Sequence, residues 1–217
     1  VLDLGDPLRF HHMLRVVKPS SPMSLGTWCL TFYSLPLTAV VGLDLLGLVG
    51  VLPHDAVPGW VRTVLLVVGL PWAFGSMAYK GVLFSTSSQP GWRDARWLGA
   101  YHVASAFALG AAVLLCLSAL GGHDRAAALL RPAFAALVVV QLVPLALLAA
   151  ELRPALAGRH TRGQLRAVAA AAVGAGVLLP LALLPVTDLG AVGALVGGWV
   201  VRHVVVLLPV HHGGAAR

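Results

Sequence analysis

The chain has 217 residues, 59% hydrophobic and only 11% charged, with a formal net charge of +7 and a mean hydropathy of +0.88. A water-soluble domain carries about 25% charged residues, so this composition excludes one. It also assigns the basic excess to membrane insertion rather than to a nucleic-acid partner. Apolar blocks about twenty residues long recur between short polar loops, and each is long enough to cross a ~30 Å hydrocarbon core as a helix.

Residues 1–25 form a basic loop that carries Arg9, His11, His12, Arg15 and Lys18 and closes on Pro19-Ser20-Ser21-Pro22. Six spans are expected after it: Gly26–Gly50, Val61–Phe84, Trp97–Leu120, Leu129–Ala150, Leu165–Leu184 and Leu189–Leu208, followed by a tail over residues 209–217. The predicted fold is all-α, a polytopic transmembrane helix bundle forming one domain over residues 1–217.

Pro36, Pro71, Pro144 and Pro180 fall within spans. Membrane helices tolerate proline when neighbours satisfy the freed carbonyls. Glycines and alanines run down the last two spans, at Gly174-Ala175-Gly176 and at Gly190, Gly193, Gly197 and Gly198. Such residues let helix backbones approach closely in lipid, where no hydrophobic force drives association. Cys29 and Cys116 sit alone in apolar blocks with no CxxC, which argues for small core residues and against a metal site.

Of the fifteen Lys and Arg, twelve lie nearer the side shared by the N-terminal loop, the second and fourth inter-helix turns and the C-terminus. Arg62, Arg125 and Arg131 lie nearer the other side. Cytoplasmic loops carry the Lys/Arg excess. The expected location is therefore the cell inner or plasma membrane, multi-pass, with both the opening loop and the C-terminus in the cytoplasm.

Asp3-Leu4-Gly5, Pro7, Arg9-Phe10, Met13-Leu14, Ser21-Pro22-Met23-Ser24, Gly26 and Trp28 together make the chain resemble the NrfD family, the membrane subunits of polysulfide reductase-like molybdoenzyme complexes. A second block of the same resemblance is Tyr79, Gly81, Leu83, Pro90 and Trp92. The match is specific over Asp3–Trp92 and mainly topological from the fourth span onward. It implies a haem-free and metal-free subunit that takes menaquinone or ubiquinone as substrate. A ferredoxin-like iron–sulfur subunit would dock on the loop face, with a molybdopterin-type catalytic subunit beyond it. Family members place two helices before the Asp-Leu-Gly segment, so these six spans would be the last six of eight.

Ionisable groups inside a membrane are rare and commonly functional. By helical rise, His102 lies roughly 6–9 Å inside the third span. His203 lies at a similar depth in the sixth, beside Arg202, and Tyr79 and Lys80 approach that level at the end of the second. These five groups are the candidate quinone-binding set. A quinone headgroup needs hydrogen-bond donors and, on reduction, protons, and His102 is the candidate for proton exchange.

Blander readings stand beside this one. Lys80 and Arg202 suit snorkelling to the interface, Tyr79 and Tyr101 suit an aromatic belt, and His102 suits an interhelical hydrogen bond. His102 and His203 also meet the minimum ligation requirement of a b-type haem, but no second pair lies deeper to complete a transmembrane electron wire. Asp44, near the far end of the first span, is a candidate for a proton path or an interfacial carboxylate. Gln141 suits an interhelical hydrogen bond, and Glu151 closes the fourth span.

The basic opening loop suits either a positive-inside anchor or, because Pro19 and Pro22 restrict it, a docking surface for the iron–sulfur partner. The functional reading is a quinone-reactive electron-transfer subunit, itself without the catalytic centre of its oxidoreductase complex. The alternatives are a small-solute transporter or proton channel and a non-redox anchor or assembly subunit. Neighbouring genes for an iron–sulfur protein and a large molybdoenzyme would favour the first.

Overall fold

A computed structural model describes residues 14–53, 57–89, 91–157 and 161–207. Among them the backbone is helical, with turns between helices and no strand. Six helical stretches are long and apolar enough to cross a membrane: Pro22–Leu48, Gly59–Ser85, Leu98–Leu120, Asp124–Ala157, Arg162–Leu183 and Asp188–Leu207.

The first helix, α1 (Pro22–Leu48), begins about a turn earlier than expected, inside the Pro-Ser-Ser-Pro segment. Ser21 Oγ accepts the Ser24 backbone N–H at 3.4 Å, and Pro22 takes the first helical position. A missing N–H costs nothing there, and a side-chain cap satisfies one orphan donor. The loop folds back on this turn, with Lys18 N donating to Ser24 Oγ at 3.0 Å.

The helices α2 (Gly59–Ser85) and α3 (Leu98–Leu120) follow expectation to within two residues at each end. The expected fourth span is two pieces, α4 (Asp124–Val140) and α5 (Leu142–Ala157), which meet at buried Gln141. Pro144 explains the break, since without an N–H it cannot bond the Val140 carbonyl one turn back.

The expected fifth span is composite. It opens with α6 (Arg162–Ala169), whose start is a capping box between Thr161 and Gln164. It continues as a π-helical segment, Ala170–Leu178, and ends as α7 (Leu179–Leu183). Pro180 cannot bond the Gly176 carbonyl, which disrupts the regular ladder at the point where the turn widens. A short 3₁₀ turn, Asp188–Ala191, then leads into α8 (Val192–Leu207).

Two compact units divide between Leu83 and Phe84, near the end of α2. In the first unit, Trp28, Phe32 and Trp72 form a run of tilted rings with centroids 5.4 and 4.7 Å apart. Gly75 accommodates Cys29, whose Sγ would lie 2.5 Å from a Cβ at that glycine. Asp44 pairs with Arg62 across 2.9 Å.

The second unit has two buried clusters. One gathers Leu115, Phe134 and Val138 with alanines of α3 and α8, and partly buried Cys116 packs against it. The other gathers Leu98, Tyr101, Leu148, Leu152, Val201 and Val205. The small-residue stripe is where backbones meet. A Cβ on Gly176 would lie 2.7 Å from the Gly197 Cα, and one on Gly193 would lie 2.6 Å from the Ala175 carbonyl oxygen.

Candidate functional site

Close packing of α3 on α8 creates a polar cluster inside the second unit. Ser105 lies about 10 Å into α3 by helical rise and is fully buried. Arg202, near the end of α8, donates from one terminal nitrogen to Ser105 Oγ at 3.0 Å and from the other to the Gly198 carbonyl at 3.1 Å. The Ser105 hydroxyl in turn donates to the His102 carbonyl at 3.3 Å. Gly198 makes this possible, because a Cβ there would sit 3.0 Å from the Arg202 guanidinium and 2.9 Å from Leu109.

Arg202 therefore does not reach outward to the interface. Its side chain folds back one turn along α8 and across to α3, because a buried hydroxyl and a carbonyl offer acceptors that the surrounding hydrocarbon lacks. Tyr101 is not an aromatic-belt residue either. It is only 2% exposed and lies beside Ser105 and Arg202.

Three contacts fix the end of the unit where this cluster lies. The Trp97 N–H, at the N-terminus of α3, donates to Glu151 Oε2 of α5 at 3.1 Å. A carboxylate there satisfies an orphan donor and complements the positive end of the helix dipole. The Trp92 indole N–H donates to the Val205 carbonyl at 2.8 Å, capping the last turn of α8. Phe84 stacks on Trp92 at 4.5 Å, which ties the α2–α3 connection to the same place.

The remaining sequence-derived candidates fall in different surroundings. His102 is half-buried, its ring 6.2 Å from that of Tyr101. His203 lies on the exposed face of α8 and stacks on Trp199 at 5.1 Å. One residue of helix turns the chain by about 100°, so neighbouring Arg202 and His203 look in different directions. In the first unit, the Tyr79 ring lies over Gly26, where a Cβ would overlap it, and Lys80 is exposed. Arg15 and Lys18 are exposed, whereas Arg9, His11 and His12 lie outside the described residues.

Ser105 carries no weight in the sequence reading, although its position was legible. It follows His102 by three residues and Tyr101 by four, the spacing that puts side chains on one helix face. The bidentate pair between Arg131 and Asp188, at 2.6 and 2.8 Å, is also new. It joins α4 to the 3₁₀ turn that precedes α8.

The family model described as polysulfide reductase (NrfD_2) matches residues 1–213. The chain belongs to the polysulfide reductase family of NrfD type. No curated protein and no solved structure matches it. Family membership and six membrane-length helices together make it a multi-pass membrane protein. The NrfD family implies a membrane anchor within a quinone-linked respiratory complex, with partner subunits alongside.

Proposed function

We propose that this NrfD-family chain is the quinone-interacting subunit of its complex. In this reading it passes electrons between the membrane quinone pool and a ferredoxin-like iron–sulfur partner, which connects to a molybdopterin-type catalytic subunit. The observation that carries the reading is the Arg202 guanidinium held on buried Ser105 between α3 and α8. A cation kept inside a bundle is costly, and such residues characteristically mark substrate or ion pathways.

The residues fit a quinone. A guanidinium has five N–H donors, more than its bonds to Ser105 and Gly198 use, and quinone carbonyls are acceptors. The neighbouring Tyr101 hydroxyl, hydrogen-bonded to Ser105, adds to the polar character of the cluster. His102, on the same turn of α3, carries an imidazole, a side chain that can both accept and donate a proton and so suits proton exchange as the quinone is reduced or the quinol oxidised. The exposed position of His203 on Trp199 weighs against a haem held between the two histidines. The basic opening loop, with Arg9, Arg15 and Lys18, is the proposed dock for the iron–sulfur partner, on the cytoplasmic side.

Replacing His102 by Phe in the purified complex tests the site. Quinone turnover should fall by roughly 10²-fold or more, the scale of a lost acid–base group, while the subunits stay assembled. Unchanged quinone kinetics in an intact complex would reduce His102 to a packing residue. A Soret band that vanishes in the variant would instead establish haem ligation.

A further inference from the structure

α5, the composite helix from α6 through the π segment, and α8 enclose a groove of about 270 Å³. Its floor is built of buried side chains, Leu148, Leu152, Ala172, Val201 and Val205, and every lining residue is apolar except Arg153. Arg202 is not part of it. The Arg202 side chain leaves α8 toward Ser105 of α3, while Val201, Val204 and Val205 face the groove.

The dimensions and the charge identify an occupant. Along α5 the lining runs from Leu145 to Leu156, about 16 Å at the rise of a helix, close to half of a ~30 Å hydrocarbon core. The groove is therefore about as long as one leaflet is deep. Exposed Arg153 lies at the end of the groove nearest the α5–α6 connection, and exposed Arg162 and Arg166 stand on α6 at that same end.

We propose that this groove seats an acyl chain of an anionic phospholipid whose phosphate is held by Arg153, with Arg162 and Arg166 adding to the local field. Guanidinium and phosphate match as bidentate partners, and basic pockets between membrane helices select anionic headgroups. Lipid tails are as apolar as the groove, so the walls position the chain while the arginines supply the selectivity. A quinone tail would fill the walls equally well but offers no anion to the arginines.

The test uses the full protein in its complex, delipidated in neutral detergent and titrated with phosphatidylglycerol or phosphatidylcholine, bound lipid being counted by native mass spectrometry. Phosphatidylglycerol should bind preferentially. Arg153→Gln should weaken it about fivefold, the scale of one basic residue near an anionic surface. Ala169→Trp, or Val204→Phe if the first fails to assemble, should block the groove and abolish retention while every cation remains. Equal binding of both lipids, or unchanged binding in Arg153→Gln, would overturn the proposal. So would displacement of phosphatidylglycerol by added menaquinone. His102→Phe should leave lipid retention intact, so failure of the quinone reading and failure of this one are distinguishable.

Discussion

Arg202 and Ser105, 97 residues apart in sequence, meet at 3.0 Å between α3 and α8. The contact needs three things at once: a hydroxyl on the buried face of α3, a glycine at 198, and an arginine one helical turn beyond it. Each of the three contributes separately to holding the guanidinium inside the bundle. That dependence gives the cluster separable signatures.

Ser105→Ala removes the cross-helix acceptor and leaves Arg202 with the Gly198 carbonyl. A hydrogen bond to a charged group is worth about 1.5–3 kcal/mol, so the quinone KM should rise by about ten- to a hundredfold with little change in kcat. His102→Phe should act mainly on kcat. Steady-state kinetics on the two complexes separate these roles, and a pure kcat loss from Ser105→Ala would count against Arg202 as a binding group.

The contact between the π segment and α8 should tolerate no side chain. Gly197→Ala would drive a methyl into the Gly176 backbone, and overpacking of this kind costs about 1–3 kcal/mol or more. Gly174→Ala, two residues from Gly176, has nothing within 4 Å of its new Cβ and should be neutral. Thermal unfolding in detergent should show a clear drop for the first variant and none for the second.

Breaking the Arg131–Asp188 pair should be asymmetric. Asp188 is almost wholly buried while Arg131 is half exposed. Arg131→Ala strands a carboxylate inside the protein, whereas Asp188→Ala releases a guanidinium that water can reach. The arginine variant should therefore show the larger fall in melting temperature. A larger fall for Asp188→Ala would mean that the carboxylate has support beyond Arg131.

On the orientation expected from the cation distribution, the α5–α6 connection is cytoplasmic and the α3–α4 turn lies outside. With Cys29 and Cys116 replaced, single cysteines at Gly163 and Arg125 should react on opposite faces of the membrane. A membrane-impermeant maleimide added to whole cells should label position 125 and spare position 163. The reverse pattern would invert the assignment.

Docking through the opening loop predicts that reversing charge at Arg9, Arg15 and Lys18 together releases the iron–sulfur partner while the subunit stays in the membrane. Co-purification measures this directly. Undiminished recovery of the partner would leave the loop as an anchor.

The sequence by itself determined the class of fold and the places where helices approach most closely. Long apolar blocks leave the backbone no alternative to helix in hydrocarbon, which is why α2 and α3 lie where expected. Gly176, Gly193, Gly197 and Gly198 signal close approach because absence of a side chain is a local property. The family too was legible, in the motifs around Asp3 and Trp28 that precede any folding argument. Depth likewise follows from position, and it grouped Arg202, His203 and His102 near one level.

Helix rotation does not follow from position, because almost every face of these helices is apolar and periodicity carries little information. Only the tertiary structure shows that Arg202 turns inward to Ser105, that His203 turns outward to Trp199, and that Tyr101 is buried rather than interfacial. The breaks at Gln141 and along Ala170–Leu178 were equally hidden. A proline in a membrane helix is compatible with either a continuous or an interrupted ladder, and neighbouring helices decide between them.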